Sequence, residues 1–365
     1  MTLSNPFPIG NGVKQGCVLA PTLFSIFFSA MLQQATEEML DTDNIYIRTR
    51  YNGSLFNLQR LRASNKVTLA LIRELLFADD AALLAHSEQS LQHITTYFAE
   101  AAAIFGLEVS IKKTVILHQP VTNMVQNSPS ISIGESKLDV VQQFTYLGCV
   151  VSADAKLDKD IANRLDKANK SFGSLNKRVW SNKNLRTDTK LKVYKAIVLP
   201  TLLYGAESWV HYRKHLRSLD RFHQRCLRRI TKTNWYDYVT NNEVLKNTSC
   251  LSIHAMLQKI QLRWAGHVSR MADHRLPKIA LFGELATGFR KRGSPKFRYK
   301  DSLKLTLKSC KINHHDWAIE ATDRSNWRQK IYKGTRLAEA NRRQKYESLR
   351  ERRKLNRRET NPVPK

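Results

Sequence analysis

The sequence predicts an α+β protein, with short antiparallel strands packed on helices in roughly the first 150 residues and helices in the rest. Up to about residue 152, apolar runs bounded by turn residues alternate with segments of helical periodicity. From about residue 155, apolar residues recur at three- and four-residue intervals. A hydrophobic content of 42% over 365 residues allows a sizeable core and excludes a wholly disordered polycation.

The first elements follow from turn and helix signals. A loop with two glycines at residues 12–17 precedes Pro21, which opens a helix predicted over residues 21–40. The phenylalanines and leucines of this helix recur at helical spacing, which favours a core position. A strand is predicted at 45–51, and the Asn-Gly dipeptide after it predicts a hairpin turn into a second strand at 55–58.

The next elements lie between residues 69 and 151. The mostly apolar run 69–84 predicts two buried strands joined by a tight turn. Ser87 predicts the N-cap of a helix that ends at Gly106. Strands are predicted at 107–117 and at 144–151, the second broken by a glycine. Three helices are then predicted, over residues 158–175, 187–203 and 214–230.

Charge and cysteine content limit the kind of protein. Sixty Lys and Arg against 31 Asp and Glu leave a net charge of +29, so polyanions, above all nucleic acid, are the expected partners. Five scattered cysteines show no C-x-x-C spacing, which excludes a zinc knuckle and disfavours a disulfide scaffold. Neither a signal peptide nor a bilayer-spanning segment is seen, and we expect an intracellular protein that does not enter a membrane.

Basic residues concentrate in two C-terminal segments. Residues 287–300 interleave aromatic rings with cations that could contact phosphates and unpaired bases, although a solvated basic loop is the alternative. The cations are Arg290, Lys291, Arg292, Lys296, Arg298 and Lys300. Residues 341–358 could be a nuclear-import signal, an RNA-binding arm or a solvated charge run, and residues 336–365 are expected to be largely disordered.

The adjacent carboxylates Asp79 and Asp80 lie inside an apolar strand pair. Ionised carboxylates cost several kcal/mol to bury unless they are paired or bind metal. A two-metal phosphoryl-transfer site uses such groups to hold Mg²⁺ ions about 3.5–4 Å apart. The alternative is an ordinary Asp-Asp turn at a solvent-exposed hairpin end.

The neighbouring motifs bear on that choice. In order, the chain reads Gly-Val-Lys-Gln-Gly from residue 12, Phe-Ala-Asp-Asp from 77, Lys-Lys-Thr from 112 and Phe-Thr-Tyr-Leu-Gly-Cys from 144. This set resembles the palm of LINE-type (non-LTR) retrotransposon reverse transcriptases. The resemblance implies Mg²⁺ or Mn²⁺ at Asp79 and Asp80. No zinc is expected, because Cys310 is the single cysteine near His314 and His315. The resemblance also implies template and nucleotide contacts by Gln15, Gly16 and Lys113, and a primer grip at Tyr146, Leu147 and Gly148.

The resemblance extends to about residue 335 and implies a domain order. A partial palm at 1–152 would precede a helical thumb at 153–250 and a basic C-terminal region at 251–335. Thumb and C-terminal motifs include Leu-Tyr-Gly-Ala-Glu-Ser-Trp from residue 203 and Leu-Arg-Trp-Ala-Gly-His-Val from residue 262. The implied partners are an RNA template, a DNA primer and deoxynucleoside triphosphates, in a ribonucleoprotein of nucleus and cytoplasm.

The chain departs from the family pattern at its beginning. Residues 1–11 contain no Asp or Glu, whereas such a palm needs a further Asp before the glycine loop. The basic fingers are absent as well. We therefore expect a truncated reading frame with little or no polymerase activity by itself. Two alternatives are a non-catalytic or domesticated RNA-binding remnant, and a decayed product that cannot fold alone.

Overall fold

The structure is a computed structural model that describes residues 16–37, 45–51, 55–61, 63, 65–120, 128–287 and 296–360. The chain divides into two compact units. Unit 1 consists of residues 1–47, 69–144 and 285–287, and unit 2 of residues 48–68, 145–284 and 288–365.

Helices dominate the second half of the chain. The helices are α1 (Ala20–Glu37), α2 (Leu58–Leu61), α3 (Glu88–Ile104), α4 (Asp158–Ser174), α5 (Thr187–Val193), α6 (Leu199–Leu202), α7 (Arg213–Thr231), α8 (Asn241–Asn247), α9 (Ile253–Ser269), α10 (Leu276–Phe282), α11 (Tyr299–Ser309), α12 (Trp317–Glu320) and α13 (Arg324–Thr360). Two π-helical segments, Asn176–Trp180 and Tyr194–Val198, follow α4 and α5. The three predicted helices beyond residue 155 are therefore confirmed as α4, α5 to α6, and α7.

The strands are short. They are β1 (Ile45–Thr49), β2 (Thr68–Ile72), β3 (Glu74–Phe77), β4 (Asp80–Leu83), β5 (Val115–Ile116), β6 (Ser132–Ile133), β7 (Ser136–Lys137), β8 (Asp139–Val140), β9 (Gln143–Tyr146), β10 (Cys149–Ser152) and β11 (Glu284–Leu285). Strand order in the three-stranded sheet is β11–β1–β2, and β3–β4, β6–β7, β9–β10 and β5–β8 form two-stranded pairs. The mixed helix and sheet content agrees with the predicted α+β class.

In unit 1, α1 packs on α3 through one face only. Met31 and Ala35 of α1 are buried with Ala101 and Ala102 of α3. The prediction that this segment is helical is confirmed, but its assignment as a core helix is only half right. Three other apolar side chains of α1 are exposed, namely Leu23, Ile26 and Phe27. The described partner covers one stripe of the helix, so apolar periodicity alone overestimates its burial.

The α3 boundaries agree with their sequence signals. Ser87 is the N-cap, and its hydroxyl accepts a hydrogen bond from the Ser90 amide at 3.1 Å. Gly106 follows the helix with φ +72°, the left-handed conformation that glycine adopts without strain. Two predicted strands differ from the structure. Residues 58–61 form a helical turn, and of 107–117 only Val115–Ile116 is a strand, because a turn at 111–113 interrupts the run.

Unit 2 contains two cores of buried side chains. One is built by α4 to α9 around Tyr194, Leu202, Trp209 and Leu227, all at most 2% exposed. The second is built by α9, α11 and α13 around Trp317 and Trp327, both 1% exposed. Residues 336–360 continue α13 as a helix, which differs from the disorder expected for this tail. None of the described helices has both the length and the apolar content needed to cross a bilayer.

His223 is a buried neutral group in the first of these cores. Its Nδ1 lies 2.8 Å from the Tyr194 hydroxyl and its Nε2 lies 3.2 Å from the Leu251 carbonyl. Because a carbonyl can only accept, Nε2 carries the proton and Nδ1 accepts from Tyr194. Burial lowers the pKa of His223 from 6.5 to about 4. The folded chain therefore resists protonation that the unfolded chain accepts below pH 6.5.

We expect this histidine to make unit 2 less stable in mild acid. Above pH 6.5 the histidine is neutral in both the folded and the unfolded chain and costs no stability. As the pH falls from 6.5 toward 4, only the unfolded chain takes up the proton, and the free energy of unfolding drops by about 3 kcal/mol. His211 acts in the same direction, because burial also lowers its pKa to about 4. Urea unfolding of wild type and His223→Gln from pH 7 to pH 4 isolates the His223 share. An equally steep loss in both chains would contradict the assignment.

Candidate functional site

The Asp79-Asp80 pair lies at the tip of the β3–β4 hairpin in unit 1. Phe77 pairs with Asp80, which leaves Ala78 and Asp79 as a two-residue turn. Ala78 has φ +54°, a conformation that costs a non-glycine residue on the order of 1–2 kcal/mol. Both carboxylates are exposed, and Phe77 beside them is 63% exposed. The predicted strand pair and tight turn are present, but the hairpin end is open to solvent rather than buried.

The other predicted nucleotide contacts in unit 1 are only partly described. Gln15 lies outside the described residues. Gly16 precedes α1 with φ +88°, a backbone conformation that suits glycine. Lys113 is exposed in the turn before β5, where its amide donates to the Ser110 carbonyl at 3.0 Å. Gly16, Lys113, Asp79 and Asp80 thus belong to one unit, on separate elements.

Residues 146–148 form the tight end of the β9–β10 hairpin. Leu147 has φ +47° and Gly148 has φ +79°, the two positive values that a two-residue type I′ turn requires. The Leu147 carbonyl accepts a hydrogen bond from the Tyr204 hydroxyl at 3.2 Å, and the Gly148 carbonyl accepts one from Arg164. The Arg164 guanidinium also stacks 4.5 Å from the Tyr204 ring centroid. Side chains of α4 and of the segment after α6 therefore hold this turn in place.

Asp160 connects the same hairpin to the core of unit 2. Its side chain is buried and accepts hydrogen bonds from the Val150 amide and from Trp209 Nε1, both at 3.0 Å. Its Oδ1 lies 3.8 Å from Arg164 Nε, one helical turn along α4. Sequence reasoning identified the turn and the Leu-Tyr-Gly-Ala-Glu-Ser-Trp motif, but not the pair Asp160 and Arg164 that joins them. The available signal was two opposite charges four residues apart amid apolar positions.

The six predicted nucleic-acid-binding cations of residues 287–300 differ in their surroundings. Arg290, Lys291 and Arg292 lie outside the described residues. Lys296 is exposed, with its Nζ 3.4 Å from the Asp154 carbonyl. Glu284 engages the other two cations, since Arg298 Nη1 lies 2.8 Å and Lys300 Nζ 3.1 Å from its Oε1. Lys300 is buried, and burial lowers its pKa against the attraction of Glu284. This geometry favours a structural role for Arg298 and Lys300 over the predicted phosphate contacts.

A basic groove on α7 was not anticipated from the sequence. It encloses about 550 Å³ and is lined by Arg217, Asp220, Arg221, Gln224, Arg225, Arg228 and Asn241. The arginines recur at spacings of four, four and three, which places them on one face of the helix. The spacing of these arginines along the chain is the sequence signal for the groove.

A comparison with protein families identifies the first part of this arrangement. The family model of the reverse transcriptase (RNA-dependent DNA polymerase) matches residues 2–151, which contain the glycine loop, the Asp-Asp hairpin and the β9–β10 turn. Residues 2–151 are therefore similar to reverse transcriptases. Reverse transcriptases as a family use divalent metal ions and bind a nucleic-acid template and primer.

Individual relatives extend the similarity to the rest of the chain. An RNA-directed DNA polymerase from the mobile element jockey of Drosophila funebris is 25% identical over 232 residues, 62% of this chain and 22% of that protein. Its Drosophila melanogaster counterpart is 23% identical over 304 residues, 81% of this chain and 29% of that protein. A transposon-derived protein of Caenorhabditis elegans is 28% identical over 278 residues, 72% of this chain and 96% of that protein.

These matches confirm the predicted resemblance to LINE-type (non-LTR) retrotransposon reverse transcriptases. The chain spans less than a third of the two jockey polymerases that it matches. The reverse transcriptase segment overlaps unit 1 and extends into the first residues of unit 2, where the β9–β10 turn lies.

Proposed function

We propose that this chain provides the metal-binding hairpin and part of the nucleic-acid-binding surface of an RNA-directed DNA polymerase. The supporting observation is the reverse transcriptase match over residues 2–151, together with two exposed carboxylates at a two-residue hairpin end inside it. On this proposal, residues 1–152 form a partial palm, 153–250 a helical thumb and 251–335 a basic C-terminal region.

The residues at the hairpin end suit a magnesium or manganese ion. Mg²⁺ prefers oxygen ligands and is commonly held by one or two protein carboxylates together with substrate phosphates. Asp79 and Asp80 offer such carboxylates, both open to solvent and adjacent along the chain. The ions would neutralise charge on the phosphates and activate the attacking oxygen. The described residues contain no cluster of three or more His, Cys, Asp or Glu side chains, so further ligands would come from the substrate or other segments.

The nucleic-acid contacts on this proposal come from both units. Lys113 is an exposed cation that could approach nucleotide phosphates, and Gln15 and Gly16 would position the template. The turn at Tyr146, Leu147 and Gly148 would hold the primer. Hydrogen bonds from Arg164 and Tyr204 to its carbonyl groups would fix the position of this turn. Deoxynucleoside triphosphates are the proposed substrates, and a ribonucleoprotein of the nucleus and cytoplasm is the proposed location.

The carboxylate assignment is tested in a chimaera in which residues 2–151 replace the matching segment of the Drosophila melanogaster jockey polymerase. Asp79→Asn is expected to reduce primer extension on an RNA template by about 10²-fold or more, the order seen when a group that stabilises the transition state is lost. Glu135→Gln is the matched control, because Glu135 lies in another two-residue hairpin turn, between β6 and β7. Equal activity of Asp79→Asn and Glu135→Gln would refute the metal assignment.

The 365-residue chain by itself is proposed to bind primer–template but to support little synthesis. Residues 1–11 supply no carboxylate to join Asp79 and Asp80. Primer extension by the isolated chain that depends on Asp79 would contradict this expectation. A non-catalytic RNA-binding role is the second candidate, favoured by the net charge of +29 and the arginine-lined groove on α7. It predicts tight, salt-sensitive RNA binding in metal-free buffer that Asp79→Asn leaves unchanged.

A further inference from the structure

The Leu-Arg-Trp-Ala-Gly-His-Val motif of α9 has a packing function in unit 2. An added Cβ on Gly266 would lie 2.0 Å from Trp327 Nε1, so only glycine allows α13 to approach α9 this closely. Trp327 is 1% exposed, and its indole nitrogen donates to the Leu262 carbonyl at 3.1 Å. The α13 helix is therefore docked onto α9 at one defined position.

This docking places two rows of basic side chains along one groove. The α9 row is Arg263, His267 and Arg270, at spacings of four and three, and the α13 row is Arg324 and Arg328, at a spacing of four. These five side chains line a groove of about 170 Å³ together with Trp327 and Ile331. The spacing within each row puts its members on a single helix face, and both faces border the groove.

The groove brings several positive charges together, and no acidic side chain lines it. Arg263, Arg324 and Arg328 are exposed, and none has an ion-pair or side-chain hydrogen-bond partner among the described residues. Burial and repulsion from Arg324 and Arg328 lower the pKa of Arg270, whose Nη1 donates to the Ala321 carbonyl at 2.6 Å. Like charges held this close favour an anion between them, because a bound anion removes the repulsion.

We propose that Arg263, His267, Arg270, Arg324 and Arg328 form a binding site for successive phosphates of a nucleic-acid backbone. The choice of nucleic acid rests on the proposed function, whereas the anion site rests on the groove itself. Planar guanidinium groups from two helices can each engage a phosphate in bidentate fashion. The groove on α7 is the weaker candidate, because it includes Asp220 and because Arg228 is bonded to the Val239 carbonyl and Asn241.

The test measures the salt dependence of RNA binding in metal-free buffer. A fluorescein-labelled oligouridylate is titrated with the full chain over a series of KCl concentrations. The double variant Arg263→Gln with Arg328→Gln is expected to reduce the slope of log K against log [KCl] by about 1.4, since each phosphate contact contributes about 0.7 on single strands. The charge-preserving double variant Arg263→Lys with Arg328→Lys is expected to retain the wild-type slope.

A matched control removes two charges elsewhere in unit 2. Arg178 and Arg186 are exposed, so Arg178→Gln with Arg186→Gln is expected to keep the wild-type slope. Equal slope changes in the two glutamine variants, or none in the groove variant, would overturn the proposal while leaving the polymerase assignment intact. Failure of the wild-type chain to bind the RNA would instead count against both. If inorganic phosphate alone stabilises the wild type and not the groove variant, with RNA slopes equal, the groove is a small-anion site and the proposal is wrong.

Discussion

Replacing Asp160 by alanine is expected to lower the free energy of unfolding of unit 2 by about 3–5 kcal/mol, the range for removing one partner of a buried ion pair. The side chains of Asp160 and Arg164 are 4% and 5% exposed. Loss of the carboxylate leaves the Arg164 charge buried and removes the acceptor of the Val150 amide and of Trp209 Nε1. Buried donors without partners add to the loss. Urea unfolding followed by tryptophan fluorescence measures it.

The same helix provides the control. Asp166 pairs with Lys170 at 2.8 Å, but these side chains are 58% and 77% exposed, so Asp166→Ala is expected to cost less than about 1 kcal/mol. Asp160→Asn is expected to fall between the two, because an amide oxygen keeps one acceptor but no charge. Comparable losses for Asp160→Ala and Asp166→Ala would show that the buried network does not hold the β9–β10 hairpin.

Replacing Gly266 by alanine is expected to destabilise unit 2 by about 3 kcal/mol, the upper end of the usual range for overpacking. The new methyl group would meet the Trp327 ring, whose atoms lie 2.0–2.9 Å from the added Cβ. Trp327 cannot move aside without leaving the core, since its ring centroid lies 6.2 Å from that of the buried Trp317. Thermal unfolding and the unfolding midpoint in urea are the measurements.

Gly173→Ala is the control for this substitution. Gly173 lies in α4 with no atom within 4 Å of an added Cβ, and the change is expected to stabilise the chain by about 0.5–1 kcal/mol through helix propensity alone. In a Trp327→Leu background, Gly266→Ala is expected to cost much less, because the clashing ring is gone. An undiminished cost in that background would mean that α9 and α13 do not meet through this contact.

Local signals predicted the elements whose form depends on neighbouring residues. The N-cap Ser87 and the glycine at 106 bound α3 as expected, and the strand predicted at 144–151 is interrupted at its glycine, where Leu147-Gly148 turns the chain from β9 into β10. The predictions that were wrong concern segments whose secondary structure depends on long-range packing. Residues 55–58 read as a strand, but Leu55 is buried in the core of Trp317 and Trp327 and the chain turns helical after it. Apolar spacing records which residues prefer burial, not which partner covers them.

For the candidate site too, the sequence predicted the local features and left the long-range contacts undetermined. The order of short motifs along the chain was sufficient to predict a resemblance to LINE-type reverse transcriptases, and comparison with known proteins confirmed that resemblance. Charge counting predicted polyanionic partners, but it could not distinguish Lys300, buried against Glu284, from an exposed cation such as Lys113. Opposite charges separated by many residues along the chain reveal nothing of their pairing until folding brings them together.

The sequence by itself predicted the α+β class, the resemblance to reverse transcriptases and the position of the Asp79-Asp80 turn, because each depends on residue types at short spacing. Only the tertiary structure decided that Asp160 and Arg164 hold the β9–β10 turn and that Gly266 packs against Trp327. It also decided that two rows of basic side chains line one groove. These features join residues that are far apart along the chain. Packing at contact distance, and not local preference, selects which of them meet.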